Sequence, residues 1–389
     1  PTPTTDVYTF DGWFTEIGGN GTRLTDADGN SIANWTVADN VTVYAKWLGT
    51  EGLVYTANGS EYIVSGVSDK TITEAYIPEY YNGKLVTAIG ENAFSGCDKL
   101  TAVFMENTIE TIGKGAFSGC SALTHLVVPF VGESRTATQE KGLLTYWFGQ
   151  NSAENTEEIY QYYLDADGFD VAVSAYVPSS LNSISLTDTD RIPFGAFAYM
   201  SMLTEVNLGN IVNIENRAFE YANGFTMIEL PDTLEVIGNS AFAHTALRSI
   251  VIPNSVTEIG TDILQGCAEL TNVTIPFVGK SSTATGTEAY LGYLFGNKSF
   301  SGTAEVKQNG TSFYIPEKLS SVTVTMASSI SEYAFSNIKS LQTVTLPESM
   351  TAIEAYLFYG CSNLNGIVLP DSVLSIGNYA FYGCSKIDA

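Results

Sequence analysis

The chain has 389 residues, 44% of them hydrophobic and 15% charged, with 17 Lys and Arg against 42 Asp and Glu and a net charge of −25. That balance excludes nucleic acid or an anionic membrane surface as the main partner, because both demand basic patches. No run of about 18 apolar residues occurs, so no segment here inserts in a membrane, and the apolar fraction is too high for a disordered chain.

Residues 7–47 begin and end in alternating segments, Tyr8-Thr-Phe10-Asp-Gly-Trp13-Phe14 and Val41-Thr-Val43-Tyr44-Ala-Lys-Trp47, which read as strands. These segments resemble the second half of an internalin-B-type (Listeria–Bacteroides) repeat, a small β-grasp-like module. The resemblance implies a partial spacer module over residues 1–48, its first strand preceding Pro1, in a Gram-positive surface protein. Residues 53–64 then read as a hairpin turning at Asn58-Gly59, placed to cap the start of a solenoid.

From residue 49 onward the chain repeats itself. Ala-Phe recurs at 93–94, 116–117, 196–197, 218–219, 241–242, 334–335 and 380–381, with degenerate copies at Ile263-Leu264 and Leu357-Phe358. The spacing is 22 or 23 residues, broken by two longer gaps of 80 and 71. One full unit is Leu247-Arg-Ser-Ile250-Val-Ile252-Pro253, then Thr-Glu-Ile259-Gly260, then the Ala-Phe and Gly-Cys positions. Ile250 and Ile252 alternate with exposed neighbours as in a short strand. Pro253 ends it, having no amide to donate, and Gly260 provides a sharp turn. About 22 residues cannot fold alone, so neighbours must stack into a solenoid. Strand starts fall at Leu100, Leu123, Leu181, Leu203, Phe225, Leu247, Leu270, Leu319, Leu341 and Leu364, with an earlier one at Glu74. That predicts about eleven coils, each adding one strand to a single parallel sheet.

The motifs Ile-Pro-x-Ser-Val-Thr-x-Ile-Gly (252–260) and Ala-Phe-Ser-Gly-Cys (93–97, 116–120) resemble BspA-like leucine-rich repeats of bacterial surface proteins. The resemblance covers about residues 50–389, within a solenoid domain expected over 49–389. It implies a curved leucine-rich-repeat solenoid with a parallel sheet on its concave face, and a role in surface attachment or host binding.

Two insertions, about 129–175 and 276–313, both begin Pro-Phe-Val-Gly. Each reaches an aromatic box, Leu144-Thr-Tyr146-Trp147-Phe148-Gly149 or Leu291-Gly-Tyr293-Leu294-Phe295-Gly296, the second preceded by Tyr290. Interleaved Leu and Phe favour a small core covering the solenoid flank; the other reading is stacking on sugar rings. The first insertion also holds Glu154, Glu157, Glu158, Tyr160, Tyr162 and Tyr163, an acidic, tyrosine-rich contact surface. After Gly383-Cys384 the pattern demands another strand from Ile387, so a fragment of a longer surface protein is expected.

The five cysteines, 97, 120, 267, 361 and 384, all follow Gly at one repeat position, which marks small buried hydrophobes. Zinc requires close ligand pairs that are absent. Asp26-Ala-Asp28-Gly29-Asn30 and Asp165-Ala-Asp167-Gly168-Phe-Asp170 invite a calcium reading. The residue at loop position 12 is Val37 or Tyr176 rather than Glu, so both read as Asp-Gly turns. His125 and His244 lie in different coils with no nucleophile beside them, so no catalytic residue is assigned. No Gly-rich phosphate loop opens a helix, and no cofactor or metal is expected. The concave row includes Phe104, His125, Met227 and Glu229. Together with Tyr146, Trp147, Tyr160, Tyr162, Tyr163, Tyr290 and Tyr293 they form the candidate ligand-binding set. The expected function is non-enzymatic binding of an extracellular host or matrix protein or glycan, secreted or on the cell wall. A structural spacer of a larger surface protein is the alternative, and a surface hydrolase stands behind both.

Overall fold

A computed structural model describes residues 2–3, 8–32 and 42–387. The chain divides into two compact units. Unit 1 is Pro1–Tyr160 with Leu164–Asp188, and unit 2 is Gln161–Tyr163 with Thr189–Ala389. Each is built from parallel β-solenoid turns of about 23 residues.

Unit 1 starts with Thr9–Phe14 paired antiparallel to Tyr44–Leu48, with Phe10 and Phe14 buried. The part of the N-terminal reading that rests on residues 33–41 lies outside the described residues. Leu53–Asn58 and Glu61–Val67 then form the expected hairpin. Its two-residue turn is Gly59-Ser60, one position later than the Asn-Gly reading, because Asn58 is already paired with Glu61. The hairpin's second strand continues parallel onto Lys84–Ile89, so it opens the first coil. Glu74–Ile77, Ala102–Met105, His125–Val128 and Ser183–Leu186 line up parallel as the concave sheet of this unit.

Unit 2 repeats the plan. Arg191–Ile192, Asn213–Ile214, Val236–Ile237 and Glu258–Ile259 form one parallel ladder. Ser249–Val251, Asn272–Ile275, Ser321–Val324, Thr343–Thr345 and Gly366–Val368 form the concave sheet. Leu and Ile at the consensus positions point inward, so Leu247, Ile250, Ile252 and Ile259 are all at most 2% exposed. Burying each such side chain contributes about 1.5–3 kcal/mol.

The Ala-Phe position makes the third side of the coil. Phe197, Phe219 and Phe242 stack 5.2 and 5.4 Å apart, and Phe335, Phe358 and Phe381 stack 5.4 and 5.3 Å apart. Their backbones form a ladder in which Phe219 N–H donates to Ala241 O at 2.8 Å. The repeated geometry of the next turn explains the cysteines. Cys120, Cys267, Cys361 and Cys384 each donate a thiol bond of 3.0–3.2 Å to the carbonyl of the Phe one coil back, at Phe94, Phe242, Phe335 and Phe358. All five thiols are buried, and burial pushes Cys267 up to about 11.

The two insertions differ from the flank-covering reading. Phe117 N–H donates to Trp147 O, and Leu264 N–H donates to Leu294 O, each at 2.8 Å. Each box therefore occupies the Ala-Phe rung of an additional coil and belongs to the core itself. A β-hairpin then replaces the Gly-Cys turn: Thr156–Leu164 with Asp170–Pro178, and Thr303–Gln308 with Thr311–Pro316. The long gaps in the repeat are thus a coil plus a hairpin.

Two classes of glycine keep the coils together. Those before Cys, such as Gly119 and Gly360, have φ +75, where an L side chain is strained. Gly260 is different and corrects the sharp-turn reading, because it is not in the left-handed region. A Cβ there would lie 2.4 Å from Asn239 N and 2.5 Å from Gly238 C in the adjoining coil. Gly260→Ala is expected to cost about 1–3 kcal/mol by overpacking rigid backbone. Gly66→Ala, whose nearest neighbour would be 3.9 Å away, should stay within about 0.5 kcal/mol. Thermal melts of the two variants check this, and equal losses would defeat the close-packing account.

His244 takes the glycine position of its coil with φ +59. Its ring lies flat on Tyr221 at 4.3 Å and edge-on to Phe300 at 4.4 Å. Burial lowers its pKa below the usual 6.5, and Lys298 adds to the effect. The unfolded chain therefore binds a proton below pH 6.5 that the folded chain resists. Stability from this site is complete above pH 6.5 and is lost as pH falls below it. Wild type should lose more melting temperature between pH 7.5 and 5.0 than His244→Asn, Asn being tolerant of the left-handed region. Identical pH responses would rule the effect out.

Candidate binding surface

Alternation along each concave strand sends every second residue outward. In unit 1 this lines up Tyr76, Phe104 and His125 on three neighbouring strands. The Tyr76 and Phe104 rings stack at 4.8 Å and 16°, and Phe104 lies 5.8 Å from the His125 ring. All three are half-buried, so their outer faces remain accessible. Glu74 accepts the Tyr76 hydroxyl, and burial followed by that bond pushes Tyr76 up to about 12. Tyr8 lies 5.9 Å from Tyr76 and extends the row. Sequence reading picked out Phe104 and His125 but passed over Tyr76. The signal was present, since Tyr76 occupies the same register as Phe104.

In unit 2 the outward row contains Met227, 69% exposed, and the exposed Glu229. The expected strand from Phe225 is not formed, so these two sit on a segment outside the ladders. Phe225 stands where neighbouring coils carry Leu. Its larger ring is buried edge-on against Phe219 at 5.8 Å.

The insertion residues are divided. Trp147 is fully buried and its Nε1 donates to Gly132 O at 2.7 Å. Tyr146 is 9% exposed and its hydroxyl bonds Glu133; burial, then that carboxylate, raises it to about 12. Tyr290 is 5% exposed, edge-on to Phe313. These three build core and present no ring to a ligand, which corrects their place in the candidate set. Tyr293 is half-buried, and burial with Glu288 nearby raises it to about 12. Tyr162 is half-buried against Tyr199 at 5.7 Å, Tyr163 is half-buried, and Tyr160 is half exposed. The Asp-Gly loops close on themselves: Asp26 accepts Asn30 N at 2.8 Å, and Asp165 accepts Asp167 N and Phe169 N at 2.9 Å.

The repeat register and these ladders agree with a comparison against known families. The BspA type leucine rich repeat region matches in six copies, at residues 69–136, 171–290 and 307–389, more than half of the chain. The chain belongs to this family. Among solved structures, this BspA-type chain is similar to a leucine-rich repeat protein of Bacteroides ovatus. They share 20% identity over 87% of this chain and 92% of that one, with a TM-score of 0.32. A leucine rich cell surface protein of Faecalibacterium prausnitzii is also 20% identical, covering 88% of this chain and 87% of that one, TM-score 0.34. The pneumococcal vaccine antigen PcpA is 16% identical, covering 88% and 80%, TM-score 0.27. No curated protein matches. Among the described residues, no helix is long and apolar enough to cross a membrane.

Proposed function

We propose that this is a non-enzymatic bacterial surface protein, secreted or wall-attached, that binds an extracellular protein or glycan through its concave sheet. The observation that carries the reading is the half-exposed row Tyr76, Phe104 and His125 across three strands. Aromatic faces held by a rigid sheet bind with little ordering cost. Residues 1–48 act as a partial internalin-B-type spacer ahead of the 49–389 solenoid. The burial of Trp147, Tyr146 and Tyr290 favours a structural role for the insertions, which also supports the spacer reading for the chain as a whole.

The test is a glycan- and matrix-protein array with the wild-type chain and a Tyr76→Ser/Phe104→Ser variant verified as folded. Ligands bound by the wild type and lost by the variant are the expected result. A ligand retained by the variant would remove the aromatic row from the site. Silence from both proteins would leave the spacer role as the better reading.

A further inference from the structure

The concave side of unit 2 is open at one coil. Glu205–Asn207 is an edge strand, and Ser249–Val251 is the edge of the five-stranded sheet. The coil between them, Thr226–Leu230, belongs to neither. Arg248 N–H donates to Thr226 O at 3.0 Å. Beyond Thr226, among the described residues, no ladder bond joins Met227–Leu230 to either neighbour. The other two sides of the same coils stay closed: Asn213–Ile214 pairs with Val236–Ile237, and Phe197 N–H donates to Ala218 O. The coil therefore gapes on its concave side only.

The opening is a cleft of about 510 Å3 lined by residues 204–209 on one wall and 226–231 on the other. Its floor is apolar. Ile228 and Leu230 are half-buried, whereas their counterparts Ile250 and Ile252 are 2% and 1% exposed. Its rim holds the exposed carboxylates Glu205 and Glu229, and no cationic residue lines it. On the sides that face the cleft, Val206–Leu208 and Met227–Leu230 present backbone edges outside any ladder, which is the requirement for strand addition.

We infer that this cleft takes an extended peptide of alternating apolar and basic residues, which adds a strand beside Val206 and Ile228. The inference deepens the binding reading above and rests on it. The peptide's backbone bonds to the free edges. Its alternate side chains then point inward onto Ile228 and Leu230 and outward between Glu205 and Glu229, because strand side chains alternate. Each wall is six residues long, so at about 3.3 Å per residue the site spans roughly 20 Å, or about six peptide residues. The acidic rim selects Lys or Arg at the outward positions, and Met227 adds an adaptable apolar edge.

The first measurement is hydrogen exchange on the wild-type chain. Amides of Met227–Leu230 should exchange at least 100-fold faster than those of Val273–Ile275, and protection equal to Val273–Ile275 would mean the cleft is closed and the inference wrong. The second is titration with fluorescein-labelled Lys-Val-Lys-Val-Lys-Val. Expected are slowed exchange at 227–230, at least tenfold weaker binding of the same peptide N-methylated at its valines, and at least tenfold weaker binding to Glu205→Gln/Glu229→Gln. Equal binding of the N-methylated peptide, or no binding to the open wild type, overturns the inference. If array ligands still depend on Tyr76 and Phe104 in that case, the concave-sheet reading survives it.

Discussion

Replacing Phe219 by Ala should cost about 3–5 kcal/mol, the range for deleting a large aromatic from a closed core. Phe219 is 1% exposed and lies between Phe197 and Phe242, with Phe225 edge-on to it. Three rings lose a partner at once, and the coil cannot collapse into the space because Ala218 and Ala241 are already tied into the rung ladder. In a one-dimensional stack the damage should spread to adjoining coils first. Urea unfolding together with hydrogen exchange tests both points. The midpoint should fall sharply, with protection lost at residues 196–198 and 241–243 before 343–345. A loss under about 1 kcal/mol would mean that the Phe column is not the main support of the coil.

Gln308→Leu is the second large effect, and it concerns a residue that the repeat pattern does not mark. Gln308 is fully buried in the second hairpin. Its Oε1 accepts Gly292 N–H at 2.9 Å, and its Nε2 donates to Ala334 O at 2.5 Å. Leu291 N–H also donates to Ala334 O at 3.0 Å, so this amide side chain braces a rung beside the inserted hairpin. Gln161 does the same in the first hairpin, where its Nε2 donates to Ala196 O and Ala198 O at 3.0 Å each. A leucine of similar size would strand the buried Gly292 N–H, while Ala334 O would keep its bond from Leu291 N–H at 3.0 Å. At about 1–3 kcal/mol for a stranded buried donor, the expected loss is about 1–3 kcal/mol. Comparing Gln308→Leu with Lys307→Leu, an exposed neighbour, by denaturant unfolding isolates the effect. Equal stabilities of the two variants would show that the bonds contribute little.

Much of the architecture was legible because a short repeat leaves few solutions. Leu247, Ile250 and Ile252 recur at strand spacing, Ala241-Phe242 recurs one turn later, and a unit this small must stack on copies of itself. Cys267 was read correctly as core, although its bond to Phe242 O needed coordinates. The insertions were harder. Their aromatic boxes were recognised as duplicated, yet nothing in Leu144-Thr-Tyr-Trp147 states that Trp147 O will accept the rung bond from Phe117. That depends on which coil lies beneath, so rings read as candidate ligand contacts turned out to be core. Gln161 and Gln308 escaped notice because a lone Gln in a polar strand carries no periodic signal.

The concave row shows the same boundary most clearly. Register alone placed Phe104, His125, Met227 and Glu229 on one face, because alternation is a property of the local backbone. The sequence by itself therefore determined the coil, its period, its stacked core and the direction of these side chains. Only the tertiary structure decided whether neighbouring coils actually pair. They pair at Phe104 and His125, which makes an aromatic row. They part at Met227 and Glu229, which makes a cleft. Pairing is a contact between segments 22 residues apart, set by how the side chains beneath them fill space, and no local pattern encodes that distance.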